Sequence, residues 1–210
     1  MLLPDVSLRS MTQAPAEDLI ETLGDGGPIL MYVGNLEPYQ GIDLLLESFA
    51  ILEKQAADAR LVLIGGSDGS QRHYRELWKK LSGSERVRFL GPRPLKALSA
   101  YLEQADVVVS PRTEGVNTPM KVYSYMDSGR PLVATALPTH TQVLSSEEAE
   151  LALPEPQAFA DAMGRVLSNP EHGLRLAANA RARVARDHSP ESFRSRVTGF
   201  YSRLESSIAS

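Results

Sequence analysis

From Ser110 to Val133 the chain reads SPRTEGVNTPMKVYSYMDSGRPLV, and these residue types point to anion binding. An apolar run, Val107 to Val109, leads into a polar loop that contains Gly115. Asn117 or Thr118 suits the cap of a helix, Pro119 suits its first turn and Gly129 suits its end. Such a loop presents the backbone N–H groups of Gly115, Val116, Asn117 and Thr118 at a helix N-terminus, just past the C-terminal end of a strand. In an α/β sheet that is a place where phosphates bind. Lys121, inside the first turn, adds a positive charge. Further on, His140 in the run Thr139 to Gln142 is the side chain whose ordinary pKa best suits general acid–base work. A lone loop histidine is more often structural, so catalysis by His140 stays open. No His, Asp or Glu cluster has metal-ligand spacing and there is no Asp-x-Asp signature, so no metal is expected.

These residues need a frame. Ile29 to Val33 (ILMYV) reads as a buried strand closed by Gly34. Leu61 to Ile64 is a second strand, ending at Gly65 and Gly66. Val87 to Leu90 is a third, ending at Gly91. Val107, Leu132 to Ala134 and a short segment near Leu151 complete the set. Helical spacing falls between them: Ile42 to Leu52, a stretch marked by Tyr74, Leu77, Trp78 and Leu81, and Leu95 to Leu102. After Pro156 the chain reads as helix only. Its stripes are Phe159, Met163 and Val166, then Leu176, Ala180 and Val184, then Phe193 to Leu204. This alternation predicts an α/β fold: a Rossmann-like, doubly wound parallel sheet of five or six strands with a helical C-terminus. Residues 1–15 read as an aperiodic lead-in, 16–23 as a short helix, and 16–210 as one domain. The Arg181, Arg183 and Arg186 run reads as a solvated helix face. Three strands closed by glycine place a site along one sheet edge, because glycine lets a ligand approach the backbone closely.

Composition removes several functions. The 210 residues carry a net charge of −4, against a broad electrostatic grip on nucleic acid. The chain has no cysteine, which removes disulfides, thiolate metal sites and cysteine nucleophiles and fits a reducing compartment. No apolar run approaches the ~18 residues of a membrane span. The glycines after the second strand lack the Lys-Ser/Thr of a P-loop.

Two motifs and a strand turn then resemble a known family. Pro119, Lys121, Tyr125, Met126, Gly129, Pro131, Val133 and Ala134 fit one loop-helix pattern. Gly34, Leu36, Gly41, Asp43, Leu45 and Phe49 fit another. With VRFLG at Val87 to Gly91, they resemble the nucleotide-sugar-binding half of GT-B glycosyltransferases of the family 4, group 1 type. The resemblance runs from residue 3 to about Leu204. It implies metal-independent transfer of a sugar from a nucleoside-diphosphate sugar to an acceptor hydroxyl, with retention of configuration and no cofactor.

The same resemblance assigns residues. Diphosphate is expected at Gly34, Asn35 and Gln40, where Asn35 and Gln40 replace the family's Arg and Lys. Gly115, Val116, Asn117, Thr118 and Lys121 face it from the loop-helix, with Arg112 and Lys121 as substitute cations. Gly91, Pro92 and Arg93 are expected at the base, with Arg93 stacking on it, and Ser124, in place of a family Glu, at the ribose. The family's other Glu falls at Val116, and Glu114 lies two residues earlier. Glu114 and His140 are therefore the catalytic candidates. The family's N-terminal acceptor domain has no counterpart in the residues matched, so a separate acceptor-binding domain or chain is expected as partner, and an under-packed final helix with it. The alternatives are a non-catalytic nucleotide-sugar-binding module, a subunit of a split enzyme, or an unrelated doubly wound protein. The expected location is cytoplasmic, with peripheral attachment to the inner membrane through the missing half as the second option.

Overall fold

Runs such as ILMYV have no polar face, so the sheet that holds them must be covered on both sides. The computed structural model, which describes residues 14–19, 21, 26–55 and 58–208, meets that demand with one parallel sheet. Its strands are β1 (Ile29–Val33), β2 (Arg60–Ile64), β3 (Val87–Gly91), β4 (Val107–Ser110), β5 (Leu132–Thr135) and β6 (Glu150–Ala152). Their spatial order is β3-β2-β1-β4-β5-β6. The helices are α1 (Ile42–Leu52), α2 (Asp68–Leu81), α3 (Leu98–Leu102), α4 (Met120–Asp127), α5 (Pro138–Thr141), α6 (Pro156–Ser168), α7 (Pro170–Asp187) and α8 (Pro190–Ile208). The doubly wound sheet of six strands is thus the one the alternation predicts.

Side chains alternate between the two faces. Leu30, Tyr32, Leu61, Leu63 and Val109 pack with α1, α2 and α6. Met31, Val62, Ile64, Val108 and Leu132 pack with α3, α4 and α7. Phe49 and Trp78 meet at 5.8 Å between ring centroids, and Phe49 and Phe159 are fully buried. Each such side chain contributes roughly 1.5–3 kcal/mol through burial. The edge strand β3 alternates instead, with Arg88 and Leu90 only partly covered. Strand order reverses between β1 and β4. The loops leaving those two strands therefore diverge and open a crevice at the sheet's C-terminal edge.

Local departures from the sequence reading have local causes. Helix α4 is capped by Pro119, in extended conformation and with no side-chain cap, rather than by Asn117 or Thr118. A residue before proline is barred from the helical region, so Thr118 cannot enter the helix. Helix α2 starts at Asp68, where Ser67 Oγ accepts from Ser70 N at 3.2 Å, well before the apolar spacing shows itself. A 3-10 turn, Leu95–Ala97, precedes α3. The run Thr139 to Gln142 is not simply a loop: α5 occupies most of it. Arg183 is not solvated but paired with Glu148 at 3.1 Å. Phe200 and Tyr201 on α8 are exposed, as an under-packed final helix requires. Of the helix expected over 16–23, Leu19 and Glu21 are helical, Ala16 to Asp18 are not, and the rest lies outside the described residues. So does the lead-in up to residue 13. Ala14 N already donates to Lys96 O at 2.9 Å, and Leu19 N to Gln104 Oε1 at 2.7 Å.

The strand ends come very close. Gly65 has φ of 116°, and a Cβ there would lie 2.1 Å from Gly34 O. Gly65→Ala is therefore expected to lower stability by more than about 2 kcal/mol. A urea midpoint equal to that of the parent chain would show that the ends of β1 and β2 do not approach this closely.

Candidate functional site

Strand β1 gives out at Val33: Gly34 N still donates to Ile64 O of β2 at 3.0 Å, but the Val33 N–H and C=O are met by a side chain. Tyr125, on α4, accepts from Val33 N at 2.7 Å and donates to Val33 O at 2.9 Å. Tyr32, fully buried, sends its hydroxyl past Gly34 to donate to Asn35 O at 2.6 Å. The same hydroxyl accepts from Lys121 Nζ at 2.8 Å. Lys121 also donates to Gln40 Oε1 at 2.8 Å, and its Nζ lies 4.0 Å from the Tyr32 ring centroid. Gly34 makes room for this: a Cβ there would stand 2.8 Å from the Tyr32 hydroxyl and 3.1 Å from Lys121 Nζ. Desolvation first, then repulsion from Arg112, holds the Lys121 pKa well below the usual lysine range. Arg112 itself lies over the Tyr39 ring at 5.1 Å, and its Nε donates to Glu114 O at 2.6 Å. Asn35 is exposed, with Nδ2 at 3.3 Å from the Tyr39 hydroxyl.

The loop after β4 turns its amides outward. Asn117 O accepts from Thr139 Oγ1 at 2.8 Å, and Val116 O accepts from Gln142 Nε2 at 3.0 Å. Gln142 Nε2 also reaches Thr118 Oγ1 at 2.8 Å. In a planar trans peptide the C=O and the following N–H point in opposite directions. With the carbonyls drawn back to α5, the N–H groups of Asn117 and Thr118 face away from it. The N–H groups of Gly115, Val116, Asn117 and Thr118 meet no acceptor among the described residues. Gly115, Val116 and Asn117 are exposed, as is the Glu114 side chain. Residue 116 carries no acid; it is a valine with 77% exposure.

Between α4 and the segment that follows β3, Arg93 to Tyr101, lies a slot of about 240 Å³. Ile64, Pro94, Leu95, Leu98 and Tyr101 form its apolar walls, and Gly34, Lys121 and Ser124 line its other side. Asn35, Gly65, Pro92 and Arg93 share a second depression with Gly34 on the same edge. Gly91 O accepts from Gly65 N at 2.8 Å, which keeps that rim together. Gly34, Gly91, Lys121 and Ser124 are thus brought to one end of the sheet. Arg93 stands differently from expectation. Its Nε donates to the Tyr101 hydroxyl at 3.0 Å and its second terminal nitrogen pairs with Glu17 at 3.2 Å, so its guanidinium is committed to the protein. Ser124 is 1% exposed and its Oγ has no partner. Sequence reasoning missed Tyr32 as the seat of Lys121 and Tyr39 as that of Arg112. A tyrosine in an apolar strand carries no local signal of what its hydroxyl will meet.

Residues 27–169 match the family described as glycosyl transferases group 1. A D-inositol 3-phosphate glycosyltransferase of Corynebacterium urealyticum is 30% identical over 166 residues, which make up 75% of this chain and 39% of that protein. Sucrose-phosphate synthase from Thermosynechococcus elongatus superposes with a TM-score of 0.81 at 26% identity, over 99% of this chain and 53% of that one. Anabaena HepE, solved in complex with UDP, gives 0.79 at 20% identity, over 95% of this chain and 56% of that one; at that identity the likeness is one of fold. The chain therefore spans about half or less of the length of these proteins. No helix among the described residues is long and apolar enough to cross a membrane.

His140 sits outside the crevice, fully buried. Thr135 Oγ1 donates to Arg112 O at 2.6 Å, so His140 Nδ1–H donates to Thr135 O at 3.0 Å and Nε2 accepts from Ser110 Oγ at 2.8 Å. This neutral ring ties β4, β5 and α5 together behind the loop, a positioning task rather than proton transfer. Desolvation first, then the charges of Lys121 and Arg112, pushes its pKa down to about 4 against the hydrogen bond to Thr135. The fold therefore binds fewer protons than the unfolded chain between pH 6.5 and about 4. Stability from His140 is complete above pH 6.5 and is lost as pH falls toward 4, on the order of 3 kcal/mol in all. Urea titrations across that range are expected to show the fall, and His140→Gln to flatten it. An equal fall in both chains would remove His140 as the cause.

Proposed function

The chain belongs to the group 1 glycosyltransferase family, and we propose that it forms the donor-binding half of an enzyme that moves a sugar from a nucleoside-diphosphate sugar to an acceptor hydroxyl. The observation that carries this is the placement of Lys121. Its ammonium end lies beside Gly34, on the rim that also holds the exposed loop amides and the apolar slot. In this reading the anionic oxygens of a diphosphate lie toward Lys121 and the amides of residues 115–118, and the base toward Ile64, Leu95 and Leu98. HepE, a fold relative, was solved with UDP.

The chemistry asked of these groups is electrostatic. As the bond from the sugar to the diphosphate breaks, negative charge grows on the leaving oxygens. Preorganised N–H donors and one ammonium at that point stabilise the transition state more than the ground state. Lys121 suits this in a particular way. Burial disfavours its charged form, and an arriving diphosphate favours that form again. Asn35 and the Gln40 amide add neutral hydrogen bonds, weaker than charged ones. The face that presents the acceptor is supplied by a further domain or chain, in keeping with a chain that spans 39–56% of the relatives described.

Calorimetric titration with uridine, guanosine and thymidine diphosphates is expected to show binding to the purified chain. Lys121→Met should weaken it by at least about ten-fold, since a charged hydrogen bond is lost, while the melting temperature holds or rises. Undiminished affinity in that variant would take Lys121 out of the site. A second outcome follows from its lowered pKa. Binding should favour its charged form and draw in a proton, so affinity falls as pH rises through the lowered Lys121 pKa, and titrations in buffers of different ionisation enthalpy should differ. Identical heats would mean that Lys121 is already charged.

A further inference from the structure

Lys121 is placed unlike the other lysines of the chain. Lys54, Lys79, Lys80 and Lys96 are exposed; Lys121 is partly covered and lines the slot. Its two hydrogen bonds suit a neutral amine. The Tyr32 hydroxyl gives its own hydrogen to Asn35 O, so toward Lys121 it only accepts, and Gln40 accepts through Oε1. Two acceptors match the two N–H groups of an amine, whereas the third N–H of an ammonium meets no acceptor among the described residues. No carboxylate lines the slot, and burial pushes the Tyr32 pKa up, so its phenol stays neutral as well.

The free side of Nζ is open. Gly34 has no side chain, and a Cβ there would stand 3.1 Å from Nζ. A lysine becomes nucleophilic when it is desolvated or set near another cation. Both conditions hold here: desolvation first, then Arg112, lower the Lys121 pKa, so its neutral form is more abundant than on an exposed lysine.

We propose that Lys121 is a modification site that takes up carbon dioxide as a carbamate. The Nζ lone pair attacks the carbon, an N–C bond forms, the electron pair of one C=O bond moves onto oxygen, and one N–H proton leaves to solvent. Nothing is oxidised or reduced. Carbon dioxide is small and uncharged, so an apolar-walled slot of about 240 Å³ admits it. The new oxygens stand further out than Nζ, on the rim where the N–H groups of residues 115–118 meet no acceptor among the described residues. Arg112 repels an ammonium at this place and attracts a carbamate. The modification stands apart from the donor reading above, but one consequence rests on it: the carbamate puts negative charge where the diphosphate oxygens would lie, so carbon dioxide and the donor exclude each other.

The test is carbon NMR of the purified chain equilibrated with bicarbonate labelled with carbon-13, at mildly alkaline pH. A carbamate resonance is expected that is missing from Lys121→Met and from Lys121→Arg, which keeps a cation but takes up no carbon dioxide. Any carbamate on the terminal α-amino group, which titrates at about pH 8, appears in all three chains, so the difference isolates Lys121. Adding the nucleoside diphosphate that binds should remove the Lys121 resonance. In turn, labelled bicarbonate should weaken the nucleotide in proportion to the chain left unmodified, about two-fold when half of it carries the group, and leave its affinity for Lys121→Arg unchanged. Identical spectra from the three chains would overturn the site. A Lys121 resonance that persists with nucleotide bound would overturn the exclusion. If no nucleotide binds, the donor reading falls, and the resonance still decides the carbamate.

Discussion

An ammonium group placed against a buried tyrosine organises the crevice. Lys121 Nζ lies on the Tyr32 ring and between the Tyr32 hydroxyl and the Gln40 amide oxygen. These residues come from β1, from the 3-10 turn Pro38–Gln40 after it and from α4, segments that are far apart in the chain. They can converge only where β1 and β4 part company, and only because Gly34 has no side chain to fill the gap. Tyr125 fixes the same helix to the same strand end one turn further along. The start of α4 is therefore held from below at two successive points, and the loop before it inherits that position.

The loop is then set from behind. Thr139 and Gln142 draw its carbonyls toward α5, and the neutral His140 ties that region to Ser110 and Thr135. The amides turn outward as the geometric consequence. A donor array fixed before a ligand arrives does not have to be ordered when it does, which is where such arrays gain their strength. Cationic charge is sparing here. Arg112 is occupied by Tyr39 and the backbone, and burial holds the Lys121 pKa well below the usual lysine range. The positions beside Gly34 carry amides, Asn35 and Gln40, so the crevice depends on one lysine whose charge state follows its surroundings.

Beyond the phosphate end the character changes to apolar. Leu95 projects into solvent at the rim, and Val116 and Met120 are exposed on the loop and helix start. An apolar slot of this size orients a flat group by shape and leaves polar selection to very few atoms. Ser124 is such an atom, and its lack of any internal partner is a property of the fold rather than of its helix.

The alternation of apolar strands with helical stretches was enough to give the α/β class and the doubly wound sheet, because two-sided burial writes itself into every strand. The glycine-closed strands and the Gly115 loop also marked the sheet edge where the crevice opens, since glycine is needed wherever backbones meet closely. Short-range rules were less secure: Pro119, not Asn117 or Thr118, begins α4, and the polar start of α2 showed no period. What no local pattern carries is which side chains meet across the crevice. That Tyr32 would seat Lys121, that Arg93 would turn to Glu17 and Tyr101, that His140 would be sealed behind the loop and that Ser124 would be left without a partner are decided by the packing of distant segments. Hydrogen bonds and desolvation depend on distances in space, and only the folded chain sets those.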